Sequence, residues 1–136
     1  MLYQIDVDYG FENEKICQIK IEQYFNQKLN KLDYYNDFDF TNNNNNLLIE
    51  LKSRRCKITD YSDTMISISK INKAKKIIKN KNTNIDIYFF FYYIKDELYY
   101  WKFDDNINLR VDDNCNYRGI RKKYAYIPTH LLIKIN

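Results

Sequence analysis

Apolar positions along the chain fall into segments with two different periods. Between Gly10 and about Lys31, the residues Ile16, Ile19, Tyr24, Phe25 and Leu29, with Leu32 just beyond, recur mostly at steps of three to five. With Glu, Gln, Asn and Lys between them, this spacing predicts an amphipathic helix. Residues 34–40 (YYNDFDF) and Leu47–Ser53 (LLIELKS) predict two strands, and the polar stretch 41–46 between them predicts a turn, so the pair makes an antiparallel hairpin. A polar loop over 54–62 leads to a second predicted helix from about Asp63 to Asn80. Asp63 is its N-cap, Ile71, Ala74 and Ile78 form its apolar stripe, and Lys70, Lys73 and Lys76 lie off that stripe. Ile85–Ile94 is apolar at nearly every position, which predicts a strand covered on both faces. Lys95–Asp96 turns it into Glu97–Phe103, a strand of looser alternation. Residues 104–118 read as an acidic, Asn-rich loop, Lys122–Ile127 as a last short strand ended by Pro128, and residues 129–135 as an apolar tail. The order helix, strand, strand, helix, strand, strand predicts an α/β sandwich on one mixed sheet. Neither a repeat nor a Pro/Gly/Ser linker interrupts it, so residues 1–136 read as one domain.

Composition narrows the class. Hydrophobic residues make up 45% and charged residues 29% of 136, the balance of a globular chain long enough to fold without staples. No apolar run approaches the roughly 18 residues of a membrane span, and the N-terminus lacks the basic start and apolar stretch of a signal peptide. Cys17, Cys56 and Cys115 sit in no metal-ligand spacing, which excludes a zinc ribbon, and their odd count argues for a reducing, intracellular setting. Two glycines exclude a phosphate-cradling glycine loop. The abundant Asn, Ile, Lys, Tyr and Phe share A/T-rich codons, so the run Asn42–Asn46 reads as a polar, flexible loop tip.

Charge is unevenly placed. Residues 1–50 hold four lysines against nine acidic residues, whereas residues 52–81 hold ten Lys or Arg against Asp60 and Asp63. A basic block beside an acidic cluster suits a polyanion-binding surface next to a metal or acid site, although a solvated lysine-rich helix face would look the same.

The sharpest feature is Ile49-Glu50-Leu51-Lys52-Ser53-Arg54-Arg55. In a strand, alternate side chains share a face, so Glu50 and Lys52 project together while Ile49 and Leu51 turn to the core. A symmetric six-residue turn pairs Phe40 with Leu47, which sets Asp37 opposite Glu50 and places Asp39 on the same face, with Phe38 and Phe40 anchoring the other. A two-residue change of register sets Asp39 opposite Glu50 instead. Either way two carboxylates and an ammonium converge. Adjacent carboxylates repel unless a proton or cation lies between them. Hard oxygen ligands at that separation suit Mg²⁺, which can acidify water and neutralise a phosphate, with the lysine positioning the water. The competing reading is an exposed sheet face with cross-strand Asp/Glu–Lys pairs, each contributing under about 1 kcal/mol.

The order Gly10-x-x-x-Glu14, Phe38-Asp39-Phe40 and Ile49-Glu50-Leu51-Lys52-Ser53-Arg54 resembles the PD-(D/E)XK nuclease superfamily, and in particular small members from large DNA viruses and phages. Tyr61–Ile66 with Lys70, Tyr99-Tyr100-Trp101 and Tyr124–Pro128 resemble the same group, so the likeness spans nearly the whole chain. It implies a restriction-endonuclease-like αββαβ core with a central mixed sheet and flanking helices. It further implies a Mg²⁺- or Mn²⁺-dependent nuclease, with Asp39, Glu50 and the Leu51 carbonyl holding the ion, Lys52 serving the attacking water and Glu14 completing the site. Arg54, Arg55, Lys57, Lys70 and Lys73 would bind the nucleic acid, expected to be DNA. Many such nucleases act as dimers, so a homodimer is within the expectation. The rival is a catalytically inactive nucleic-acid-binding or assembly module on the same fold.

Other residues carry less. His130, the sole histidine, has no arranged partner and reads as a surface residue. Cys56, flanked by Arg54, Arg55 and Lys57, lacks a histidine to activate it. The run Tyr88–Tyr93 could stack on bases but reads as the central strand. Asp104–Asp105 and Asp112–Asp113 lack calcium-loop spacing and read as solvated turns.

Overall fold

The computed structural model describes residues 2–33, 36–80, 82–115, 119 and 121–136. Its first element is α1, Leu2–Phe25, which begins before Gly10 and stops before Lys31. Asn26 ends it by taking a left-handed backbone, φ 52°, a conformation that Asn tolerates better than most residues. The N–H of Asn26 then bonds Gln23 O, and that of Gln27 bonds Glu22 O, closing the helix as a Schellman turn does. Leu29, predicted on the helix stripe, instead opens strand β1, Leu29–Lys31.

The predicted strand over 34–40 is displaced toward its end. Tyr34 and Tyr35 lie outside the described residues, 36–39 form a bend, and β2 is Phe40–Asn42. Strand β3 is Leu47–Ser53, as expected. Two residues assigned to the turn, Thr41 and Asn42, are buried strand residues. The Asn42 amide donates to Gln27 Oε1 and Asn46 Oδ1, so this end of the Asn run is held rather than loose. A one-turn 3₁₀ segment, Ile58–Asp60, interrupts the following loop.

The second predicted helix is also shorter. Asp63–Ser67 is strand β4, with Thr64 and Ile66 buried in alternation, and α2 runs only from Ile68 to Lys79, with Ser67 and not Asp63 at its N-cap position. A β-branched residue at every second position suits a pleated, half-buried surface better than a helix turn. Next come β5, Asp86–Tyr93, and β6, Glu97–Lys102, joined through Lys95 and Asp96, both with positive φ. The region predicted as an acidic loop contains β7, Arg110–Cys115; residues 116–118 lie outside the described residues. Strand β8, Arg121–Pro128, follows, and the apolar tail supplies β9, Ile133–Lys134.

Two sheets form where one was expected. The larger has the order β1-β2-β3-β5-β6-β9 and is mixed, with β3 parallel to β5 and the other pairs antiparallel. The smaller is antiparallel, β4-β8-β7. The succession α1, β2, β3, α2, β5 is a restriction-endonuclease-like αββαβ core on a central mixed sheet. β5 is covered on both faces, as its composition predicts. Phe90 and Tyr92 pack with Cys17 and Ile21 of α1, while Ile87, Phe89, Phe91 and Tyr93 pack with Ile71 and Ala74 of α2 and with Ile66 and Ile127 of the small sheet. Full burial of each such Phe contributes roughly 1.5–3 kcal/mol. This layering makes the β3–β5 pair a rigid base for whatever β3 displays.

Candidate functional site

The hairpin takes the shifted register. Phe40 pairs with Ile49 and Thr41 with Leu48, which carries Asp39 to the level of Glu50. A short turn with Asn45 at φ 54° makes this possible, because Thr41 and Asn42 are drawn into the ladder. The bend before β2 has a second effect. Phe38 and Phe40, predicted to anchor one face, are buried in different clusters, Phe38 on the α2 side and Phe40 on the α1 side. The backbone of Asp39 is fixed from both flanks: its N–H donates to Ile49 O (2.9 Å) and its carbonyl accepts from Leu32 N (2.8 Å). Its Oδ2 accepts the Leu51 N–H at 2.7 Å, so the Leu51 backbone meets the site through its amide.

Glu50 is the unusual residue. A carboxylate in mid-strand, it is only 3% exposed, and its Oε2 has no hydrogen-bond partner. Burial pushes its carboxyl up to about 8, and a hydrogen bond with Asp39 adds to the rise, whereas Lys52 and Lys70 oppose it. Lys70, in the first turn of α2, brings its Nζ within 3.0 Å of Glu50 Oε2, an ion-pair distance without hydrogen-bond geometry. The same ammonium donates to Asp37 O and lies 5.9 Å from the Phe38 ring. Lys52 shares the pleat face of Glu50 and is half-buried. Asp39, Glu50, Lys52 and Lys70 are thus brought together.

The other predicted site residues are placed elsewhere. Glu14, on α1 across the sheet, ion-pairs with Lys31. Asp37 is exposed and pairs with Lys73 at 3.3 Å. Arg54 turns inward: its Nε donates to Thr64 Oγ1 (3.1 Å), its Nη2 to Met65 O, and its guanidinium lies 5.5 Å from the Phe91 ring. Desolvation lowers its pKa from the usual arginine value. It ties β3 to β4. Arg55 and Lys57 are exposed. The grip of Thr64 and Met65 on Arg54 escaped the sequence reading; its only trace is the Thr64/Ile66 alternation that marks β4.

Among the described residues, no three His, Cys, Asp or Glu side chains gather into a set that could hold a metal ion. The site offers a carboxylate pair with one buried oxygen that accepts no hydrogen bond and faces the Lys70 ammonium. All its donors are hard oxygens, and Mg²⁺ commonly takes one or two protein carboxylates and keeps its waters, so the set fits such an ion. The proton that burial keeps on Glu50 relieves its repulsion with Asp39.

No curated protein and no solved structure matches the chain. Residues 3–120 match the protein family described as "Phage putative PDDEXK endonuclease", a span that runs from α1 past the carboxylate pair and α2 into the small sheet. With most of its length inside that match, this chain belongs to the phage PD-(D/E)XK family.

Proposed function

We propose that the protein is a divalent-ion-dependent endonuclease that hydrolyses phosphodiester bonds of DNA, with Mg²⁺ or Mn²⁺ as its cofactor. The observation that carries this reading is the buried Glu50 carboxyl beside Asp39, whose Oε2 accepts no hydrogen bond and is met by the Lys70 ammonium at 3.0 Å. Burial of an acid at this level costs stability, and a binding role accounts for its retention. Asp39 and Glu50 would hold the ion, with the Leu51 carbonyl as a further oxygen donor. What the ion supplies when bound is positive charge, which offsets that of the phosphate and eases proton loss from water.

The chain's own groups do the rest. Lys52, on the face of Glu50, orients the attacking water and balances charge that builds on the phosphate. Lys70, whose ammonium lies 3.0 Å from Glu50 Oε2, would serve as a cation for a phosphate oxygen. The Leu51 N–H holds the Asp39 carboxylate in one orientation, so little order has to be gained on binding. Exposed Lys57, Lys75 and Lys76, with Lys73 once freed from Asp37, would meet the DNA backbone. Two free cysteines, Cys17 and Cys56, accord with action inside the host cell. The chain acts as a single unit, whether alone or as a homodimer.

The test is cleavage of supercoiled, linear, branched and single-stranded DNA with Mg²⁺, with Mn²⁺ and in EDTA. Cleavage that needs the ion and is lost in Glu50→Gln and Lys52→Ala, with circular dichroism unchanged, is the expected result. Full activity in EDTA would overturn the metal reading. The Lys70–Glu50 contact favours one alternative, a site closed for good and a protein that only binds nucleic acid. Salt-sensitive binding with every substrate left intact would establish that one.

A further inference from the structure

Beyond β3 the molecule has a cavity of about 420 Å³, bounded by the end of β3, the 3₁₀ turn and strands β4 and β8. It lies on the catalytic face. Arg54, in its wall, continues the ladder with its N–H on Tyr92 O (2.8 Å), and its guanidinium covers Phe91, which belongs to the cluster on the Glu50 side of the sheet. At about 3.3 Å per strand residue, four residues put Arg54 about 13 Å from Glu50. That is about four steps of a stacked nucleic-acid strand at 3.4 Å each.

The walls suit a flat, polar-edged ring. Ile58 and Met65 give apolar surface, and Tyr61, 66% exposed, gives an aromatic face. At the rim, the partly exposed Asp63 carboxylate, which meets Arg110 through Oδ2 at 3.3 Å, offers an acceptor to the edge of such a ring, while the buried Thr64 hydroxyl, which accepts from Arg54 Nε, and Tyr93 form the wall behind it. Lys57, exposed at the same cavity, can hold a flanking phosphate. We propose that this cavity receives one nucleobase of the bound strand, within about four nucleotides of the scissile bond. The inference rests on the nuclease reading for its substrate but not for its chemistry. A base turned out of its stack is recovered in part by stacking on an aromatic side chain, and is read at its edge by hydrogen bonds.

Cys56 lines the cavity and reports on it. The experiment uses the Glu50→Gln protein, which would keep the strand intact, saturated with a 12-nucleotide DNA. N-Ethylmaleimide labelling is followed by peptide mass spectrometry, which separates Cys56 from Cys17 and Cys115. DNA should slow labelling of Cys56 at least tenfold. A series of strands with a single abasic site should then restore labelling at one position only. Tyr61→Ala, a change at an exposed side chain, should weaken DNA binding roughly tenfold. Equal protection by every abasic strand, or none by intact DNA, would overturn the proposal. Wild-type cleavage without protection would remove the cavity's role and leave the nuclease reading standing; protection without cleavage would do the reverse.

Discussion

At the scale of single residues, Glu50 carries most of the account. Its proton sets a stability that depends on pH. The unfolded chain releases that proton near the ordinary 4.5, but the folded chain keeps it until about 8. In EDTA, the stability linked to protonated Glu50 is therefore complete below pH 4.5 and declines as pH rises toward 8, by on the order of a few kcal/mol. Thermal melts between pH 5 and 8.5 should show this decline in the wild type and a flatter profile in Glu50→Gln. A parallel decline in both proteins would mean that the burial of Glu50 costs little. Asp39 and Asp37 were harder to separate in the sequence, since both alternate onto the active face of a straight strand. The bend at 36–39 separates them: Asp39 is held by Leu32, Ile49 and Leu51, and Asp37 is exposed against Lys73. Asp39→Asn should reduce cleavage by at least a hundredfold and Asp37→Asn by less than fivefold, as measured by plasmid nicking. The reverse order would assign the role to Asp37.

At the scale of elements, the sequence was most legible where one period ran unbroken. β3 and β5 show in their alternation and in their two-sided apolar run, and both form where expected. Boundaries set by a single backbone conformation were not legible. Nothing in the pattern announces that Asn26 adopts φ 52° and ends α1, or that Asn45 at φ 54° shortens the turn and shifts the register by two. Locally, residues 63–67 read as the start of a helix, because Asp63 can cap one and Ile71, Ala74 and Ile78 supply its apolar stripe. Pairing with β8, which no local pattern encodes, makes them a strand. That pairing gives Arg54 its partners and makes it a tie between β3 and β4. Arg54→Ala should accordingly cost about 2–3 kcal/mol in urea unfolding, the loss of two charged hydrogen bonds and a ring contact. Lys57→Ala should cost almost nothing there. An Arg54→Ala protein as stable as the wild type, with weaker DNA binding, would return this arginine to the substrate.

At the scale of the whole molecule, two layers of core hold β3 between α1 and α2, so that one strand presents its carboxylate, amide and ammonium groups on a fixed frame. α2 does more than cover the sheet. It delivers Lys70 to Glu50, so the site without an ion already contains a cation. If Glu50 holds a divalent ion as proposed, binding would have to displace the proton that burial keeps on Glu50. The account thereby makes a claim that a purely structural carboxylate pair does not. The measurement is a calorimetric titration of Mn²⁺ into the wild-type and Glu50→Gln proteins at pH 7, repeated in two buffers of different ionisation enthalpy. The account predicts a wild-type heat that changes with buffer, in proportion to about one proton released per ion bound, and a loss of binding in Glu50→Gln. Equal Mn²⁺ affinity in the two proteins, or binding with no release of protons, would contradict it.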